Sequence, residues 1–485
     1  QAWNALNQLS IENEKKHAVN KSGPILYVIP VVYHVIYNSP SSNVSKAAIE
    51  ASVQNLNEDF QKLNADISQV VPAFAGIAAD IQVEFRLAHK DPNGNCTEGI
   101  TRTFSNLTTT AGENVKSLVK WDVNSYANIW VVQSLSSGAG GYTYYPGVNH
   151  SNSGIVIRAA QLGNSLTHEF GHYFNLPHLW GSSNTPGVQS NCSLDDGVGD
   201  TPNTIGNQSC NTSAVTCGTL DNVQNYLEYS FCERMFTEGQ KSRMHTALDF
   251  STHASLHTPT NLIETGTNDP YGPVVCAPIA EFSYNKEYIC EGGSVTFTDD
   301  SYNAVPTGWN WTFTGGTPST STQQNPTITY NTAGVYGVTH TPSTSAGNDT
   351  ETKNSIITVS SLTATYSWPF VDGFENATQF GNEWRIENDG GMLWQNTTAA
   401  AATGARSVRV RNFFTTNAGE KDALVSPSYD ISAMTTKTMT FKQAFAKKTS
   451  ADSDKLLVYW STNCGETWTL TVSYTHLRAH ETEAY

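Results

Sequence analysis

Four side chains within eleven residues carry the strongest chemical signal. The segment Asn164–His178 reads NSLTHEFGHYFNLPH. If it is helical, His168 and His172 fall one turn apart on one face. Leu166, Phe170 and Phe174 form a stripe displaced by two residues, so one face can bury while both imidazoles point into a cleft. Two neutral imidazoles at this spacing can share a tetrahedral Zn²⁺. Glu169, beside the first of them, can reach a water at the metal without ligating it. If the helix ends near Asn175, His178 returns from the following turn as a third ligand and leaves a fourth position open. A metal so placed acidifies water and polarises a carbonyl, while a neighbouring carboxylate relays the proton. The bland alternative is three satisfied histidines on an ordinary core helix.

The pattern is H-E-x-x-H-x-x-G-x-x-H in every fixed residue except Gly, where Asn175 stands. That position needs a left-handed backbone for its turn, and Asn is the common substitute for Gly there.

The elements that must hold these residues can be read on either side. The run ILYVIPVVYHVIY, residues 25–37, is β-branched and aromatic, as a buried strand is. A helix is expected from about Ser45 to Ile67, with Ile49, Val53, Leu56, Phe60, Leu63 and Ile67 on one face. Strands follow at Ile81–Leu87, Ala127–Gln133 and Ile155–Ala159. Between the last two lies the Gly- and Tyr-rich stretch GAGGYTYYPG. Thr237 and Gln240 have the spacing of a capping box opening a helix that runs to about Phe250. Mixed strands and helices over residues 25–262 make one α/β (α+β) domain. Residues 1–24 are a polar lead-in or propeptide remnant, and 263–276 read as a linker. Beyond it short β runs and turn clusters, with no convincing helix, predict two all-β sandwich domains at 277–360 and 361–471. Residues 472–485 abandon that composition. SYTHLRAHET within them resembles the translation of a sequencing-library adapter, so the third domain is read as cut short.

A chain of 485 residues exceeds one hydrophobic core. Its net charge of -16 argues against nucleic acid and anionic membranes as partners. No run approaches the length of a membrane-spanning helix. The chain opens at Gln1, as a processed form or fragment would. Eight cysteines in a chain rich in Asn, Thr and Ser point to an oxidising, extracellular compartment, with cell-surface association open. Cys192, Cys210, Cys217 and Cys232 cluster after the histidines, and four cysteines allow three connectivities. Cys276 and Cys290 bracket the domain boundary and are counted as disulfide cysteines. Cys96 and Cys464 stand isolated, and Cys96 is read as unpaired or distantly paired.

HEFGHYFNLPHLWG, followed by DDGVGDTPN and QNYLEYSFCERMFTEGQKSRM, resembles the pappalysin family of metzincins, in its cytophagalysin-like branch, over residues 25–262. The resemblance implies a zinc endopeptidase with upper and lower subdomains around a horizontal cleft. Substrate would pair with an edge strand within Ala139–Tyr145, where Gly140, Gly141 and Tyr142 let a peptide approach. The plain alternative there is a surface hairpin. Leu227 occupies the Met position of the family turn beneath the metal, with apolar character and volume kept. Tyr229 matches the family Tyr that swings towards the oxyanion; a buried Tyr with one hydrogen bond is the alternative. Asp195, Asp196, Asp200 and Thr201 resemble the family's calcium loop, whose alternative is a solvated acidic turn. The resemblance also implies disulfides Cys192–Cys217 and Cys210–Cys232. A preference for basic residues after the scissile bond is not carried over, because Ser230 and Phe231 stand where some relatives have Asp.

Residues 277–360 resemble a PKD-type immunoglobulin-like repeat on SVTFTDDS, WNWTFTGG and NPTITYNTAGVYGVT. Residues 361–471 resemble a jelly-roll adhesin or MAM-type module on WPFVDGFEN and ALVSPSYDIS. Such modules imply a carbohydrate or surface ligand beside the protein or peptide substrate. The competing reading of the whole is an adhesion protein with a catalytically idle metalloprotease-like scaffold.

Overall fold

The computed structural model describes residues 5–9, 12, 25–367, 369–388, 392–411, 421–444, 455–474 and 481–484. Most of the lead-in and part of the C-terminal tail therefore lie outside the described residues. Two compact units emerge, one built mainly on the residues up to Ile279 and the other on those that follow.

The first unit is a sheet with helices. Strand β1 (Tyr27–Tyr37) pairs in parallel with β2 (Val83–Leu87) along its first half and β3 (Ile100–Phe104) along its second. On its other side lie β4 (Ala127–Val132) and β6 (Ile155–Arg158), both parallel, and then β5 (Gly141–Tyr142), antiparallel at the sheet's end. Alternation explains why β1 is apolar throughout. Tyr27, Ile29, Val31, Tyr33 and Val35 enter the main core, while Val32 and Ile36 enter smaller clusters.

Onto the main core pack helices α1 (Lys46–Phe60), α2 (Asn164–Tyr173) and α3 (Glu238–Phe250). They contribute Ile49, Leu56 and Phe60, then Leu166 and Phe170, then Met244 and Leu248. Phe85 from β2 meets Phe170 at 4.5 Å between ring centroids and Phe60 at 4.9 Å, knitting sheet and helices together.

Helix α1 is shorter than its apolar periodicity predicts. Lys62 turns left-handed at φ 56°, and the amide of Leu63 bonds back to Glu58. Leu63 is thereby exposed and Ile67 falls in a 3₁₀ turn. The segment expected as a linker is instead anchored to this unit. Helix α4 (Pro259–Thr265) covers its start, the Thr265 carbonyl accepts from His89 and Lys90 amides, and Cys276 is bonded to Cys96.

In the second unit, strands Tyr288–Cys290, Gly308–Phe313, Thr320–Ser321, Gly334–Thr344 and Glu351–Ser360 belong to one sheet. Phe282–Tyr284, Gly293–Asp299, Gly316–Thr317 and Thr327–Tyr330 form the other. Trp311, Phe297 and Ile328 fill the space between as an all-β sandwich. Later residues make two-stranded pairings, and Ala377–Glu383 is a helix where none was expected. Asn376 explains it, since its side chain accepts from the Thr378 and Gln379 amides as an N-cap.

Candidate active site

Helix α2 buries Leu166 and Phe170 in the core and turns His168 and His172 the other way. It stops at Tyr173, and Asn175 follows at φ 75°, the left-handed conformation its place in the motif demands. The Leu176 amide then bonds to the Gly171 carbonyl at 2.9 Å, which closes the helix end and turns the chain back. Arg243 of α3 fixes this reversal, with Nε on the Asn175 carbonyl at 2.7 Å and Nη1 on the Asp196 carbonyl at 3.0 Å.

His178 returns to the other two histidines. Its Nε2 lies 3.2 Å from Nε2 of His172, and one ring nitrogen from each of the three falls within 4.8 Å of the others. Two nitrogens bound tetrahedrally to one zinc at about 2.0–2.1 Å sit about 3.3 Å apart, so the spacing fits the ion. The tautomers fit as well. Nδ1 of His168 contacts the Tyr226 carbonyl and Nδ1 of His172 the Leu176 carbonyl, each at 2.6 Å. A carbonyl only accepts, so Nδ1 carries the proton and the lone pair at Nε2 faces the shared centre. Burial pushes His168 down to about 3 and His172 to about 4, and holds His178 well below the ordinary histidine value. All three imidazoles are neutral at physiological pH. Trp180 stacks flat on His178 with centroids 4.2 Å apart, a support the sequence reading assigned no role.

Glu169 is buried beside this cluster, and desolvation pushes its carboxyl up to about 8. Over it passes β5, the sheet's terminal strand. A Cβ on Gly141 would lie 3.1 Å from Cγ of Glu169 and 3.2 Å from its Oε1. Gly141 and Tyr142 thus pair at the sheet's end, with Gly141 above the carboxylate, and the Arg158 amide donates to the Gly140 carbonyl at 2.9 Å.

Below the helix, Leu227 is fully buried, and a Cβ on Gly171 would meet its Cδ2 at 2.8 Å. Leu227 therefore packs against the helix directly at Gly171. The Tyr229 ring lies 5.4 Å from His168 and 5.1 Å from His178, and its hydroxyl is pushed up to about 12 by burial, with a contribution from Glu169. Tyr145, at the end of the stretch expected to hold the substrate strand, meets the His172 ring edge-on at 5.6 Å. Asp59 was also missed: it is a carboxylate on the helix face that buries Ser52 and Leu56, and it is buried with them. Its carboxylate accepts from Thr167 at 2.6 Å and from the Tyr226 hydroxyl at 2.7 Å. It ties α1 to the residue before His168 and to the residue whose carbonyl orients His168.

The acidic loop does not gather as expected. Among the described residues the three histidines form the one cluster of metal-ligating side chains, and Asp195, Asp196 and Asp200 do not join into another. Asp200 is turned to the N-terminus of α3, accepting from Thr237 Oγ1 at 2.6 Å and the Gly239 amide at 2.9 Å. Asp196 is buried, with its carboxyl pushed up to about 8 by desolvation, and takes the hydroxyl of Thr201 at 2.8 Å. These are the bonds of a folded loop rather than the calcium site that the resemblance implied. Cys192–Cys217 and Cys210–Cys232 are bonded. Cys276 and Cys290 are bonded too, but to the two cysteines that spacing left isolated, as Cys96–Cys276 and Cys290–Cys464.

Residues 109–249 match the peptidase M43 family described as pregnancy-associated plasma protein-A, and residues 275–359 match the PKD domain. An extracellular metalloprotease of Pyricularia oryzae is 30% identical over 201 residues, covering 36% of this chain and 68% of that protein. Another, of Arthroderma benhamiae, is 25% identical over 260 residues, covering 50% and 82%. Among solved structures, mature mirolysin of Tannerella forsythia in complex with a cleaved peptide is 34% identical. It covers 50% of this chain and 99% of that one, with a TM-score of 0.46.

Proposed function

Because the chain belongs to the pregnancy-associated plasma protein-A (M43) family of metalloproteases and carries a PKD domain, we propose that it is a secreted zinc endopeptidase acting on extracellular proteins. Zinc is the ion the family implies, and His168, His172 and His178 would hold it. When bound there it supplies Lewis acidity, making water nucleophilic at neutral pH and polarising the scissile carbonyl.

The remaining work falls to the protein. Glu169 accepts the proton of the attacking water and delivers it to the leaving amine. Its burial raises proton affinity before the opposing charge of a bound cation is counted, and this keeps the transferred proton on the carboxyl until the amine takes it. Tyr229, on the exposed side of the histidines, is positioned to donate to the developing oxyanion. Gly140, Gly141 and Tyr142 offer an extended peptide the free side of β5, directly above Glu169. The paired extracellular disulfides and the relatives named as extracellular support secretion.

The observation carrying this reading is the convergence of three neutral imidazoles with Glu169 at their side. Casein hydrolysis tests it. The wild type should lose activity to a chelator and regain it with zinc, and Glu169→Ala should retain one zinc per chain while losing at least about a thousandfold in kcat. Wild-type cleavage rates in Glu169→Ala would overturn the mechanism. Intact casein with the wild type, zinc-loaded, would favour the adhesive reading instead.

A further inference from the structure

The lysine behind the edge strand is not used by the mechanism above. Lys116 is 2% exposed, an unusual burial for an ammonium. Its Nζ donates to Glu113 Oε1 and to the Asn152 carbonyl, both at 2.9 Å. Three aromatic faces surround it, Trp130 at 5.4 Å, Tyr142 at 5.1 Å and Tyr144 at 4.9 Å from Nζ to centroid. The Tyr142 hydroxyl closes the cluster by donating to the same Glu113 oxygen at 2.7 Å.

Where this cluster sits gives it meaning. Along an extended chain, side chains alternate between faces. Tyr142 and Tyr144 lie on the face that grips Lys116, and Gly141, between Gly140 and Tyr142, faces Glu169. The strand's own ladder is short, pairing only Gly141 with Ile157 and Tyr142 with Val156. So few backbone bonds hold a peptide edge weakly, and an edge that moves exacts an ordering cost from whatever pairs with it.

We infer that Lys116 is a positioning residue for substrate. Its ammonium, clamped between Tyr142 and Tyr144 and held by Glu113, fixes the backbone of β5 so that an extended peptide can pair with it over Glu169. The inference rests on the endopeptidase reading and goes beyond it by placing substrate-binding energy on a residue that touches neither substrate nor metal. Cation–π attraction of a desolvated ammonium is worth about a tenfold to thirtyfold change in an equilibrium.

The test compares two substrates on Lys116→Met, which keeps the stem and removes the charge. One is an extended peptide spanning both sides of the scissile bond. The other is a short blocked peptide too small to pair along the strand. For the extended peptide KM should rise about tenfold with kcat changed far less. Cleavage of the short peptide, and zinc content, should match the wild type. Equal losses on both substrates, or no change in the extended peptide's KM, would overturn the inference. Tyr144→Leu provides the same comparison from the other side of the clamp if Lys116→Met does not fold. A wild type that cleaves neither peptide instead refutes the endopeptidase reading, so the two failures are told apart.

Discussion

Gly141 is where a single methyl group distinguishes a working site from a crowded one. A Cβ there would stand 3.1 Å from Cγ of Glu169 and 3.3 Å from the Val156 carbonyl, too close on both sides without movement. The sheet's backbone is the stiffer neighbour, so the Glu169 side chain gives way by a few tenths of an ångström. Misplacing a catalytic group by about 1 Å costs on the order of a hundredfold, so Gly141→Ala should lower kcat about tenfold. Zinc content should be unaltered, because the atoms nearest that methyl belong to Glu169 and Val156. Steady-state kinetics with metal analysis checks this, and a wild-type kcat would show that the strand does not press on the carboxylate. Asn175 makes the complementary point. Its φ of 75° suits Gly and Asn and strains most other residues, which is why the motif tolerated this departure.

At the scale of elements, the site depends on how α3 begins. Thr237 and Gln240 form a capping box, with the Gln240 amide on Thr237 Oγ1 at 3.2 Å and the Thr237 amide on Gln240 Oε1 at 2.9 Å. Gln240 also exchanges two hydrogen bonds with Asn225, at 2.7 and 3.0 Å, and Asn225 Oδ1 takes the Leu227 amide at 2.9 Å. One side chain therefore caps a helix and holds the turn beneath the metal site. Gln240→Ala removes half of the box and leaves Asn225 buried and short of partners, so about 2–3 kcal/mol of stability should be lost. Urea unfolding measures it, and a loss below about 1 kcal/mol would mean the turn is held elsewhere. The capping box was legible because both partners lie within four residues. Its link to Asn225 was not, since only the folded chain brings residues fifteen apart together. The same division runs through the molecule. The α2 motif, the β1 run and the sandwich showed themselves by spacing and alternation. The early end of α1 at a left-handed lysine, the third neighbour β3 of β1, and the burial of Asp59 depend on contacts made far along the chain. Apolar periodicity continued past Phe60, so it predicted a helix that the backbone did not extend.

For the whole molecule, the decisive question is how residues 176–237 stay ordered. Among the described residues this stretch holds no α-helix and no strand, only a 3₁₀ turn and isolated bridges, yet it carries His178, Leu227 and Tyr229. Long irregular segments close at an entropic cost that a short ladder does not offset. Two disulfides meet it by interleaving, Cys192–Cys217 over a separation of 25 residues and Cys210–Cys232 over 22. Each links chain that the other also spans, so the loop cannot open at one end alone. A bridge closing a loop of this length restricts the unfolded chain by about 3 kcal/mol. Replacing Cys210 and Cys232 together by Ser should therefore lower the melting temperature by about 10 °C in calorimetry. The loss should be felt first at the metal site, because Tyr226, whose carbonyl orients His168, lies six residues before Cys232. Zinc should leave the variant at a lower chelator concentration than it leaves the wild type. An unchanged melting temperature with unchanged zinc retention would mean that buried polar bonds such as Glu228 with Thr204 and Asn207 suffice to order the loop. With the expected result, oxidation of these bridges is a condition of an intact site, since Tyr226, Leu227 and Tyr229 all lie inside the loop that Cys210–Cys232 closes.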